Sequence, residues 1–243
     1  MLNDAKTEVI HMSSRFVNTL PLPLLKIGNS DVQSTDSARN LGVILDSSLD
    51  MKDHLKSITK SASFAIYKIS QISKYLNPQA TERLVHAFVS SRLDCCNSLL
   101  YGLPQQDIAM LQRIQNSAAR LVSRTKKRDH ITPVLQELHW LPVEYRIVYK
   151  VMLITFKALH GMSPGYIKDL ICPYQPSRNL RSSSKNLLCH PSKGNTVFYN
   201  DRAFCTAAPK LWNQLPDHVR SAPSISTFKS ALKTFLFKKA YGP

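Results

Sequence analysis

Nowhere among its 243 residues does this chain set two acidic side chains next to each other. Two-metal nucleotidyl transfer holds its cations between clustered carboxylates, so that chemistry finds no adjacent ligand pair here. A G-x-S-x-G match stands at Gly161-Met162-Ser163-Pro164-Gly165, but it follows an expected helix rather than a strand and so does not read as a nucleophile elbow. The phosphate-cradling G-x-x-x-x-G-K-[ST] loop is missing. Asp46, Asp50 and Asp53 cluster where a helix is expected to begin, and the helix dipole accounts for them without a metal. Cys172, Cys189, His190, Cys205 and His218 crowd the C-terminal third. They form no C-x-x-C or H-x₃₋₅-H pair, so zinc-site spacing is lacking. No catalytic residue, metal ligand or cofactor is therefore assigned.

Long apolar runs are also missing. A bilayer span needs about 18 consecutive residues with few or no charges. The nearest stretch, "VEYRIVYKVMLITFKAL", carries Glu144, Arg146, Lys150 and Lys157. The N-terminus has an early acid and no apolar core run, so no signal peptide is read. The expectation is an intracellular, reducing compartment, cytoplasmic or nuclear, with the five cysteines as thiols. Cys95-Cys96 is expected inside an amphipathic helix, half core and half surface.

What the chain has in excess is positive charge: 32 Lys and Arg against 16 Asp and Glu, a net +16. The imbalance grows along the sequence, with 13 basic and 3 acidic residues after position 150. A polyanionic partner follows from such a field. The 43% hydrophobic content, with two tryptophans, is enough to build a core.

The periodicity predicts a mostly α protein with a small antiparallel β region at its N-terminus. Residues 1–47 read as short strands: Thr7–Met12, a hairpin around Gly28-Asn29-Ser30, and a buried strand through Leu41, Gly42, Val43, Ile44 and Leu45. Ser47 and Asp50 have capping-box spacing ahead of a helix over about 50–76. Its apolar stripe runs from Leu55 through Ile58, Ala62 and Ile69 to Leu76. Further helices are expected at about 80–101, 105–123, 131–138 and 143–160, and at the C-terminus through Phe228 and Leu232. Trp140 and Trp212 read as anchors beside chain-turning prolines. The domain reading is a β region at 1–47, a helical bundle at 48–122, a helical connector at 123–172, and a basic linker with a small helical segment at 173–243.

Two basic groups stand out. Lys52, Lys56, Lys60 and Lys74, with Tyr67 among them, fall on the helix face opposite the apolar stripe. Lysines interleaved with an aromatic suit phosphate contacts and stacking; the plain alternative is a solvated face. Arg124, Lys126, Lys127 and Arg128 form a tighter basic group between helices, with the exposed charged loop as its alternative.

Six segments in order carry a resemblance: "LNDAKTEVI", "ARNLGVILDSSLDMKDHL", "HAFVSSRLDCCNSLLYGLP", "LQRIQNSAARLV", "HWLPVEYRI" and "APKLWNQLP". Together they resemble the C-terminal part of the reverse transcriptase polyprotein of non-long-terminal-repeat (LINE-type, jockey-like) retrotransposons. The resemblance implies that Lys6 matches the motif-D lysine. It implies that Leu41, Gly42 and Val43 belong to a primer-grip-like strand at the palm edge, and that the helices from about residue 50 form a thumb. The partner implied is an RNA or DNA template–primer, or the element's own RNA, rather than a membrane or a small-molecule substrate. The family's aromatic-x-Asp-Asp loop, which would hold Mg²⁺ in the parent polymerase, has no counterpart in these residues. The expectation is thus a truncated reverse transcriptase, not an enzyme as an isolated chain, that keeps its nucleic-acid-binding thumb. The alternative is a domesticated helical module that binds protein or a ribonucleoprotein. Oligomeric state is left open.

Overall fold

The computed structural model describes residues 7–12, 25–28, 30–175, 186–191 and 201–242. Helix accounts for 60% of the structure and strand for 9%, with the strands confined to the N-terminal region. The chain divides into two compact units, Met1–Phe64 and Ala65–Pro243.

Among the described residues, the first unit holds six short strands and the opening turns of the first long helix. Two ladders are antiparallel: β2 (Leu25–Ile27) with β3 (Ser30–Val32), and β5 (Ser37–Asn40) with β6 (Val43–Asp46). The third is not. β1 (Val9–Ile10) runs parallel to β4 (Ser34–Thr35), which corrects the all-antiparallel expectation. A parallel pair needs a long return connection, and the residues between Ile10 and Ser34 supply one.

The expected strand over Leu41–Leu45 is also corrected. Leu41 and Gly42 are the two-residue turn joining β5 to β6, with φ of 48° and 88°. Positive φ at both central positions defines the type I′ turn, whose twist matches that of the flanking strands. Strand geometry begins only at Val43, which is buried. Leu41 is 92% exposed.

After β6 the chain does not form the expected Ser47–Asp50 capping box. The Asp46 carboxylate holds the turn instead, accepting at Oδ1 from the Ser48 hydroxyl at 3.0 Å and the Asp50 amide at 2.8 Å. Leu49 and Met51 both take left-handed backbone. Helical geometry therefore starts only at α1 (Lys52–Ile72), which continues as a 3₁₀ turn to Tyr75. In this unit Leu55, Ile58 and Ala62 of its stripe are buried, together with Val43 and Met51. His54 is buried beside them, and its Nδ1 accepts the Ile44 amide at 3.4 Å.

The second unit is helical. Asn77 caps α2 (Pro78–Val85), its Oδ1 accepting the Ala80 amide at 2.7 Å, while Pro78 occupies the first helical position. The single helix expected to about residue 101 is broken. α2 loosens into a π turn at His86–Ser90, resumes as α3 (Ser91–Asp94) and stops. Cys95 is extended and Cys96 has φ 50°, ahead of a 3₁₀ turn at Asn97–Leu100. Both cysteines are thus exposed at a helix break rather than half-buried within a helix.

α4 (Gln105–Ser123), α5 (Ile131–Glu137) and α6 (Val143–Leu159) follow, then the single turn α7 (Gly165–Lys168). Pro142, at the start of α6, offers no side-chain cap. Gln112 of α4 takes that role across space, accepting the Val143 amide at 2.8 Å, and Gln115 donates to the Leu141 carbonyl at 2.8 Å. The unit closes with α8 (Phe204–Trp212), α9 (Asp217–Arg220) and α10 (Ile225–Tyr241), the last capped by Ser224.

Its main core joins Val151, Met152 and Phe156 of α6 to Trp212 of α8 and to Phe228, Leu232 and Leu236 of α10. The rings of Phe156 and Phe228 stack at 4.2 Å. Both tryptophans are buried, as expected of anchors. The Trp212 indole donates to the Asn186 carbonyl at 2.8 Å, and the Trp140 carbonyl accepts from the Tyr241 hydroxyl at 2.6 Å.

Candidate nucleic-acid interface

The outer face of α1 follows from its period. Burying Leu55, Ile58, Ala62 and Ile69 turns Lys52, Lys56, Lys60 and Tyr67 to solvent. Lys52 lies 3.6 Å from Asp50, and Lys56 lies 3.1 Å from Asp53. Such exposed pairs are worth at most about 1 kcal/mol, so a phosphate can displace either acid. Lys60 makes no ion pair among the described residues. The face also carries Phe64, 61% exposed beside Tyr67 at 57%, which the sequence reading did not single out. The available signal was its absence from the apolar stripe: a phenylalanine outside the buried face of an amphipathic helix. Lys74 lies past the end of α1, with its ammonium 4.8 Å from the centre of the Tyr75 ring.

The second basic group divides. Arg124 ends α4 in left-handed backbone and reaches back to the 3₁₀ turn that follows α1. Its guanidinium donates to the Leu76 carbonyl at 2.8 Å and the Ser73 carbonyl at 3.4 Å. Arg124 thus satisfies a helix end. The loop after it is tied down by Arg120, which donates to the carbonyls of Lys126 and Asp129. The Asp129 carboxylate accepts the Lys126 amide at 3.1 Å. That leaves the side chains of Lys126, Lys127 and Arg128 exposed on a fixed backbone.

Of the residues expected at a primer-grip-like strand, Leu41 and Gly42 form the hairpin tip and Val43 is buried in β6, so only the tip is open to a partner. Lys6 lies outside the described residues. Among the described residues, no three His, Cys, Asp or Glu side chains gather as a cation site. Cys172 and Cys189 are brought together through their backbones, the Cys189 amide donating to the Cys172 carbonyl at 2.8 Å. Among the described residues no helix is long and apolar enough to cross a membrane.

A site the sequence did not suggest lies where α3 ends. Arg146 of α6 donates from Nε to Asp94 Oδ1 at 2.8 Å, and its second nitrogen bonds the other carboxylate oxygen. No local spacing could have shown this, because the two residues meet only when α6 packs against α3. No family model matches the chain, and no curated protein or solved structure does either.

Proposed function

We propose that this chain is the C-terminal part of a non-long-terminal-repeat reverse transcriptase and acts by binding nucleic acid rather than by catalysis. The observation that carries the binding reading is the outer face of α1. Three lysines there are followed by two exposed aromatic rings, Phe64 and Tyr67, on a helix whose other side is buried. Ammonium groups neutralise phosphates, and exposed rings accept unstacked bases or sugars with little regard to sequence. The exposed side chains of Lys126, Lys127 and Arg128 extend the same chemistry, and the net charge of +16 supports it. The retroelement assignment rests on the six ordered segments. Without adjacent carboxylates these residues provide no two-metal centre, so the role is that of a thumb gripping template–primer or element RNA.

The test is fluorescence anisotropy with a labelled duplex and a labelled single strand, at about 50 and 200 mM salt. Binding should be independent of sequence and weaken steeply with salt. Replacing Lys52, Lys56 and Lys60 by alanine should flatten the logarithmic salt slope by about one for each lysine removed. No binding at the lower salt, or an unchanged slope, overturns the reading.

A second reading, a helical interaction module, draws on a different surface. Met162, Tyr166, Leu170 and Tyr174, around α7, are all exposed. Exposed large apolar side chains close together in sequence are candidates for a protein contact. It predicts that the α1 lysines are dispensable for the chain's association with its partner.

A further inference from the structure

One cavity of about 410 Å³ in the helical unit is lined from four directions: the α2 segment, the end of α3, the α5–α6 connection with α6, and Lys233 of α10. That volume falls within the roughly 300–1,000 Å³ typical of small-molecule sites. Its charges are unevenly matched. Asp94 is taken by Arg146, and Glu82 Oε1 lies 3.5 Å from His86 Nε2. Lys150 and Lys233 line the same space and make no ion pair among the described residues. With Asp94 matched by Arg146, Lys150 and Lys233 outweigh the remaining acid, Glu82, so the cavity keeps a net positive charge.

Two further features are not explained by folding alone. Asn97, 2% exposed, lines the cavity and donates from Nδ2 to Asp94 Oδ1 at 3.4 Å. That acceptor fixes which way the amide points, and the Asn97 carbonyl oxygen is left buried with no partner. A buried acceptor without a donor calls for an explanation, and a missing ligand donor is one. The walls also supply flat rings, the exposed imidazoles of His139 and of His86, the latter tilted against the buried Trp140 ring at 5.2 Å.

A ligand that answers all of this has an anionic group for the lysines, a planar heteroaromatic ring for the wall, and a hydroxyl or amine for Asn97. We propose that this cavity binds a nucleotide through its phosphate monoester, either as the terminal residue of a nucleic-acid strand or as a free mononucleotide. It deepens the nucleic-acid reading, on which it rests only for the source of the ligand. Lys150 and Lys233 hold the phosphate, and Asn97 accepts from the sugar or base.

The full chain is titrated with adenosine 5′-monophosphate, adenosine and inorganic phosphate, followed by calorimetry and tryptophan fluorescence. The monophosphate should bind at millimolar concentration or better and more tightly than either fragment. Lys150→Gln and Lys233→Gln should each weaken it about tenfold, the loss of one charge-assisted contact. Lys150→Arg and Lys233→Arg should retain most of the affinity. Lys229→Gln, an exposed change on α10 outside the cavity, should do nothing. Circular dichroism establishes that each variant is folded, and the arginine pair keeps the test decisive if a glutamine variant is not.

A short strand bearing a 5′-phosphate that binds severalfold tighter than its 5′-hydroxyl twin identifies the strand end as the source. Equal binding of the two, with the mononucleotide response intact, identifies the free nucleotide. No response to the monophosphate, or a response equal in the glutamine variants, overturns the proposal. If duplex binding through α1 survives that result, only the cavity is lost. If the α1 variants lose the salt slope while the monophosphate still binds, the two contacts are separate.

Discussion

Arg124 donates to the carbonyl of Leu76 at 2.8 Å, joining the end of α4 to the turn that follows α1. Its guanidinium is spent on backbone acceptors of that turn, so it stabilises the bundle rather than meeting a phosphate. Arg124→Ala should lower stability by about 1 kcal/mol and leave nucleic-acid affinity nearly unchanged. Replacing Lys126, Lys127 and Arg128 together should do the reverse. Urea denaturation read alongside anisotropy separates the two effects.

The Asp94–Arg146 pair should behave as a coupled unit. The Arg146 side chain is only 19% exposed, so Asp94→Ala leaves a largely buried guanidinium without its counter-charge. The expected loss is about 2–3 kcal/mol. The double variant should cost clearly less than the sum of the two single alanine changes. A double-mutant cycle in thermal denaturation measures that coupling, and strict additivity would show that the pair is not formed in solution.

The tip of the β5–β6 hairpin should be improvable. Leu41 holds left-handed backbone, which a side chain branched at Cγ adopts at a cost, and its 92% exposure means that it packs on nothing. Leu41→Asn installs the Asn-Gly pair favoured in type I′ turns and should stabilise by about 0.5–1 kcal/mol. A rise in the hairpin's hydrogen-exchange protection is the readout.

Protonation of His54 should loosen the same hairpin. Burial, and secondarily the charge of Arg39, hold the His54 pKa below its ordinary 6.5, and Nδ1 can accept the Ile44 amide only when unprotonated. A depressed folded-state pKa contributes stability above pH 6.5 that is lost as pH falls through the folded value. The Ile44 amide should exchange faster at mildly acidic pH than the ordinary pH dependence of exchange allows, and His54→Gln should remove the excess.

Tyr241 titrates at the other end of the scale. Burial pushes its phenol up to about 12, while its hydroxyl donates to the Trp140 carbonyl at 2.6 Å. Because the folded value lies above the unfolded 10, the stabilisation is complete below pH 10 and disappears as pH rises toward 12. Tyr241→Phe should cost about 1 kcal/mol at neutral pH and flatten the alkaline limb of a melting-temperature profile.

The sequence by itself determined the helical class, the stripe of α1 and the buried tryptophans, because each depends on a period or a residue type within one element. Leu55, Ile58, Ala62 and Ile69 are buried because they recur at helical spacing. The same spacing leaves Lys52, Lys56 and Lys60 outside. Leu41 misled because an apolar residue beside a run of strand formers reads as strand. The turn there is selected by hairpin twist, and Gly42 was its one local sign.

Only the tertiary structure decided which charges are free. Arg124 and Arg146 look like any other cations in the chain, yet packing consumes both, one on the carbonyls of Ser73 and Leu76 and the other on Asp94. Lys150 and Lys233, far apart in sequence and ordinary in pattern, end up on one cavity with Asn97. Hydrogen bonds and ion pairs act over a few ångströms whatever the separation along the chain, so a periodic pattern can show which side of a helix faces outward but not what it meets there.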